Sequence, residues 1–351
     1  MSERLYPLRF EGSLRAKIWG SRDLSPYFET PQKPIGEAWY TFEENVVVNG
    51  DLAGQSLGDL LGRFGRRLMG ERYEPRAARR LSANESLEPA PSEAAPYFPI
   101  LTKLLFVSET LSVQVHPGDE YALAREGGAG KMEMWYVVDA EPGAAAAMGL
   151  TERLAPSELA AAAKSGLIAD LLNWVEVRAG DTLFVPPGTL HTLGAGLTIC
   201  EIQQNSDITY RLFDFDRLGD DGRPRDLHLG PAVAVVSQEP WEGVASPAPL
   251  EAIGFGRELL AACRYFAAER LSFGSVFDYV PDRERAHILI FTSGEGWLGQ
   301  EAYSAGDSFL IPAEAEPFRV RPGVPTTLIR AYEPDLEKLR AEVGEAGAVR
   351  E

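Results

Sequence analysis

The sequence predicts a mainly β protein built from two copies of one small barrel, with helical insertions. Short β-rich runs follow one another from Phe98: FPILTKLLF, LSVQVHP, MEMWYVVDA, DTLFVPPG, LTICEIQQ and ITYRLFDF. Turn residues separate them, the signature of a sandwich or barrel. A second observation is an internal repeat: Ala179-Gly-Asp-Thr-Leu-Phe-Val-Pro186 reappears as Ala305-Gly-Asp-Ser-Phe-Leu-Ile-Pro312. Each is a Gly-Asp turn feeding a strand that ends in Pro. Third, 351 residues with 45% hydrophobic content are enough to bury a sizeable core.

Taken in order, residues 1–50 hold short apolar runs broken by Gly and Pro, among them KIWGS and PIGEAWYTF, which read as strands and turns. Gln55 to Arg80 carries leucines at helical spacing with basic residues between them, so one or two helices are expected there. Ser82 to Pro96, rich in Pro, Ala, Ser and Glu, reads as a loop or insertion. Thr151 to Leu172 is helical in Ala/Leu content, although Ser157 with Ala160 falls short of a capping box. The expected organisation is an N-terminal domain over 1–240 with insertions at about 55–80 and 151–172, a degenerate copy over 250–335, and a tail over 336–351. The copies differ at one place: His191 falls five residues after Pro186, where the second copy has Pro317.

A formal charge of −18 argues against nucleic acid or an anionic membrane as partner. It also means that an anionic substrate needs a locally basic pocket. Cys200 and Cys263 have no CxxC spacing and read as reduced, buried thiols. The first residues, MSERLYPLRFEG, lack an apolar h-region, and a cytoplasmic protein is expected.

Four runs carry the chemistry-bearing residues. In SVQVHPG, Gln114 and His116 are two apart and share one face of a strand. In GKMEMWYVV, Lys131, Glu133 and Trp135 share a face, opposite Met132, Met134 and Tyr136. A Pro-Pro-Gly turn presents His191, and the following strands bring Glu201 and Arg211. Two imidazoles and a carboxylate are a normal ligand set for a catalytic divalent metal with an open position. Gln114 either joins through its amide oxygen or hydrogen-bonds nearby. Each residue alone has a blander reading as a core histidine, an exposed strand pair or an edge charge. Together they weaken that reading, because a carboxylate and a lysine on an apolar-flanked strand are costly to bury without a purpose. His228 and His287 lack such company and read as structural.

These four motifs, in this order, resemble the type I phosphomannose isomerases in their shorter bacterial form, as do WGS at Trp19 and IGEAWY at Glu37. The resemblance spans about residues 5–235. It implies a double cupin with one zinc ion in the first barrel, held by His116, Glu133 and His191, with Gln114 as the fourth ligand in many members. It further implies Arg211, Glu201 and Lys131 as active-site residues, with Lys131, Arg211 and Ser112 toward a small sugar-phosphate substrate. The segment Arg76–Pro96 is longer than the short form leads one to expect. The implied reaction, in carbohydrate metabolism, interconverts mannose 6-phosphate and fructose 6-phosphate through an enediol. Glu201 is the first choice of proton carrier, with a lysine or a metal-held water as alternatives. Rival readings are a cupin metal-dependent dioxygenase and a non-catalytic sugar-phosphate-binding cupin. A monomer or weak homodimer is expected.

Overall fold

The computed structural model describes residues 3–73, 97–219, 222–344 and 348–350. Among them the strands form four antiparallel sheets, stacked as two sandwiches back to back. The first sandwich closes a six-stranded sheet (Ser13–Ser21, Ile35–Trp39, Ile100–Val107, Leu197–Gln204, Glu133–Ala140, Thr182–Val185) over a five-stranded one (Tyr210–Phe213, Val113–Val115, His191–Leu193, Ala145–Leu150, Leu172–Glu176). Leu105, Trp135 and Ile199 of the larger sheet meet Ala146, Met148 and Leu193 of the smaller. In the second sandwich, Leu289, Phe291 and Phe309 of a seven-stranded sheet meet Phe277, Tyr303 and Val320 of a four-stranded one.

The two large sheets pack against each other through their other faces. Leu104, Met134 and Ile202 lie against Leu260, Ile288 and Ile329, with Leu60, Leu61 and Phe64 of helix Leu57–Phe64 joining the same core. Both faces of the six-stranded sheet are therefore buried, which is why its strands read as near-continuous apolar runs. Alternation then fixes which residues reach the first sandwich's interior: along Leu197–Gln204, Ile199, Glu201 and Gln203 point inward, while Cys200 and Ile202 point into the core between sandwiches. On the far side, helices Pro156–Ser165 and Leu229–Val235 cover Val113, Val115 and Leu212 of the five-stranded sheet.

The internal repeat is visible atom by atom. Gly180 (φ 97°) and Gly306 (φ 91°) both occupy the left-handed region that a side chain resists. Asp181 Oδ2 accepts the Arg178 N–H at 2.9 Å, and Asp307 Oδ2 accepts the Ser304 N–H at 2.8 Å. Strands Thr182–Val185 and Ser308–Ile311 follow. One strand crosses between the halves of the sequence: Leu8–Phe10 pairs with Ser308–Leu310, so the N-terminal residues complete the second sandwich's sheet.

Each helical insertion contains helix among its described residues. The first contains Leu57–Phe64, capped by Ser56 accepting the Asp59 N–H, and Arg66–Met69. The second contains Pro156–Ser165 and the short turn Leu167–Ala169. Glu158 accepts the Ala155 N–H at 2.7 Å, supplying one half of a capping box whose other half alanine has no oxygen to make. The remainder of the first segment from residue 74, the Ser82–Pro96 stretch and the Arg76–Pro96 insertion lie outside the described residues. In the tail, Leu336–Val343 is a helix capped by Asp335, and Leu339 is buried with Leu259 and Tyr332. No helix among the described residues is long and apolar enough to cross a membrane.

Candidate functional site

Two cross-strand rows face each other inside the first sandwich. In the five-stranded sheet, Arg211 lies opposite Gln114 and Gln114 opposite His191, so the three side chains share one face. In the six-stranded sheet, Trp39, Lys103, Glu201 and Trp135 form one row. Two residues along, Glu133 lies opposite Gln203. His116 follows strand Val113–Val115, where Pro117 and Gly118 end the strand.

His116, Glu133 and His191 meet, each fully buried, with one ligand atom from each lying within 4.8 Å of the other two. His191 Nε2 is 3.4 Å from Glu133 Oε1 and His116 Nε2 is 3.5 Å from Glu133 Oε2. Each imidazole donates its Nδ1–H to a backbone carbonyl, His116 to Ile208 at 2.9 Å and His191 to Thr189 at 2.8 Å. That fixes the tautomer and turns both Nε2 lone pairs toward the carboxylate, the outer support usual for metal-ligating histidines. Neither Glu133 oxygen accepts a hydrogen bond of proper geometry, although both are buried. A buried carboxylate requires compensating positive charge. The Lys131 ammonium lies against the same atoms, 2.8 Å from Glu133 Oε2 and 3.1 Å from His116 Nε2. The donor set of two imidazoles and one carboxylate fits a divalent metal ion.

Gln114 stands beside this group, its amide nitrogen 3.3 Å from His191 Nε2 and its oxygen toward the Ser112 hydroxyl. A ligand role for Gln114 needs the amide turned over, a change its near-symmetric shape permits. The electrostatics are those of buried groups. Burial opposes ionisation of Glu133, but the Lys131 ammonium above all holds its carboxyl well below the usual carboxylate range. Burial, then the Lys131 charge, lowers His116 to about 4, and burial also lowers His191. Both imidazoles are thus neutral and available as ligands.

A cavity of about 810 Å³ opens beside the group, lined by Ser112, Gln114, Lys131, Glu201 and Arg211 among others. Glu201 is pinned: its Oε2 accepts the Trp135 indole N–H at 2.9 Å and its Oε1 lies 3.2 Å from the Lys103 ammonium. Arg211 donates to the Asp226 carbonyl at 2.9 Å, forms no ion pair among the described residues, and keeps a buried Nε without an acceptor. Of the sequence-predicted residues, Ser112, Gln114, Lys131, Glu201 and Arg211 thus line one cavity, and His116, Glu133 and His191 meet beside it.

Sequence reasoning missed Lys103, Glu37 and Lys17, which line the same cavity. Lys103 is 2% exposed; burial pulls its pKa down, but Glu201 and Glu37 more than restore it, leaving it well above the ordinary lysine value. Its ammonium also lies over the Trp39 ring, 4.5 Å from the centroid. Against burial, Lys103 and Lys17 lower Glu37 to about 2, helped by a 2.7 Å bond from Trp39 Nε1. The signal was present in FPILTKLLF, where a charge sits at an inward position of an apolar strand. His228 also lines the cavity, and its Nδ1 accepts the Arg211 N–H at 3.1 Å, so it positions an active-site strand.

Fold and site together define a double-sandwich protein of the cupin class, with a His-Glu-His group able to hold a metal ion in the first sandwich. The chain is 33% identical over 319 residues to the mannose-6-phosphate isomerase of Streptococcus mutans, covering 87% of this chain and 92% of that protein. It is 36% identical over 236 residues to the mannose-6-phosphate isomerase ManA of Bacillus subtilis, 66% of this chain and 68% of that one. The crystal structure of a Bacillus subtilis mannose 6-phosphate isomerase superposes with a TM-score of 0.78 at 30% identity, covering 93% of this chain and 99% of that chain. No family model matches the chain. By these relatives the chain belongs to the mannose-6-phosphate isomerase family.

Proposed function

We propose that the protein is a zinc-dependent aldose–ketose isomerase that interconverts mannose 6-phosphate and fructose 6-phosphate. One observation carries the reading: a buried His116–Glu133–His191 group lies beside a cavity also lined by Lys131, Glu201 and Arg211. The reaction removes a proton from the carbon next to the carbonyl, passes through an enediol, and returns a proton to the neighbouring carbon, with the hydroxyl proton changing oxygens. Zinc held by His116, Glu133 and His191, with Gln114 as fourth ligand, would supply Lewis-acid stabilisation of the enediolate without redox change.

The chain's own residues do the rest. Glu201 moves the carbon-bound proton, its carboxylate oriented by Lys103 and the Trp135 indole. Arg211, whose guanidinium forms no ion pair among the described residues, offers it to the sugar phosphate, and Ser112 reaches the same space. Lys131 keeps positive charge at the metal group and faces the substrate's oxygens. Arg225, which lines the cavity while bonded to Asp214 at 2.7 Å, adds to the basic end that an acidic protein needs for an anionic substrate. The two buried free thiols, Cys200 and Cys263, fit a cytoplasmic enzyme.

A coupled assay on mannose 6-phosphate tests this, run on purified, chelator-treated and zinc-restored protein. Turnover lost with chelator and regained with zinc is the expected result. Absence of turnover on mannose 6-phosphate, or indifference to chelator, overturns it.

A further inference from the structure

His116 and Glu133 come from different segments that meet at one corner of the first sandwich. The corner is in backbone contact: the Lys131 N–H donates to Pro117 O at 3.0 Å. A Cβ on Gly130 would lie 2.6 Å from Asp119 N and 2.9 Å from Pro117 O, so only glycine fits there. Asp119 ties the two segments together. Its Oδ1 accepts the Gly130 N–H at 2.8 Å and the Gln204 side-chain amide at 3.0 Å. Gln204 in turn accepts the Met132 N–H at 2.9 Å, bracketing the residue before Glu133.

The other oxygen of Asp119 faces the second sandwich. Tyr265 donates its hydroxyl to Asp119 Oδ2 at 2.5 Å, and Arg264 Nη2 lies 3.5 Å away. Both belong to the turn between strands Gly256–Ala262 and Ala267–Phe273. The second copy, which carries no histidine at the place of His191, thus reaches the first copy's ligand corner through one hydroxyl and one guanidinium.

We propose that Asp119 is a positioning residue through which the second sandwich holds the His116 and Glu133 segments at metal-binding distance. This rests on reading His116, Glu133 and His191 as a metal centre. Asp119 touches neither substrate nor ligand atoms; it sets the spacing of the backbone that carries them. Residues that support metal ligands typically affect metal affinity 10–100-fold.

The test uses the full chain loaded with zinc, whose release is timed with a chromogenic chelator. Asp119→Ala is expected to speed release about 10-fold or more. Tyr265→Phe, which keeps the ring and removes only the hydroxyl, is expected to speed it by a smaller, measurable factor, with the thermal midpoint of the zinc-free protein unchanged. In the Asp119→Ala background, Tyr265→Phe is expected to add nothing, the non-additivity of two groups acting through one contact. Should Asp119→Ala not fold, Tyr265→Phe alone decides. Wild-type release from Tyr265→Phe overturns the proposal, as does an undiminished effect in the double variant. Both leave the metal-centre reading standing; a wild-type chain that takes up no zinc overturns both.

Discussion

Lys103→Met tests how the cavity holds its charge. Lys103 and Glu201 are 2% and 5% exposed, with 3.2 Å between Nζ and Oε1. At that distance and an effective dielectric of about 20, two unit charges attract by roughly 5 kcal/mol. The lysine's own desolvation cost, recovered on substitution, reduces this; breaking one side of a buried pair typically costs about 3–5 kcal/mol. Glu201 keeps the Trp135 indole bond, which places the expectation near the lower end, about 3 kcal/mol. Urea unfolding of the wild type, Lys103→Met, Glu201→Leu and the double variant measures it, with m-values checked for constancy. The double variant is expected to be less destabilised than the sum of the singles, because Glu201 no longer stands as an orphaned charge while Glu37 keeps Lys17 at 3.3 Å in every variant. A loss below about 1 kcal/mol for Lys103→Met, or strict additivity in the double variant, refutes the reasoning.

Three further outcomes are expected. His191→Ala removes one of the three proposed ligands, so metal content by atomic emission and turnover are expected to fall together; full activity in a metal-free variant refutes the site. Glu201→Gln keeps the shape and removes the proton acceptor, so kcat falls about 100-fold or more, and near-normal turnover removes Glu201 from the proton-carrying role. His116, with a folded value of about 4 against the ordinary 6.5, takes up a proton on unfolding. Its contribution in chelator-stripped protein is therefore nil above pH 6.5 and destabilising as pH falls toward 4, by at most roughly 3 kcal/mol. Urea midpoints across that range report it, and an equally steep acid loss in His116→Gln would assign the effect elsewhere.

The alternation of Val113 and Val115 with Gln114 and His116, and of Lys131 and Glu133 with Met132 and Met134, was legible because strand geometry puts every second residue on one face. The Gly-Asp repeat was legible for the same local reason: a left-handed glycine and an aspartate bonding back to the chain are short-range devices. Lys103 was harder, because its partner Glu201 is 98 residues away and only cross-strand register makes them neighbours. Leucine spacing marks a helical segment, while Gly65, Gly70 and Gly166, each at positive φ, mark where the individual helices stop.

Local chemistry thus determined the strands, the repeat and which face each candidate ligand occupies on its strand, because each depends on residues close along the chain. Three matters were decided only by tertiary packing: that Leu8–Phe10 completes the distant sheet, that Lys103 faces Glu201, and that Tyr265 reaches Asp119. Each joins residues tens to hundreds of positions apart. Such pairings follow from how four sheets stack to bury their apolar faces, a property of the whole chain that no short window of sequence contains.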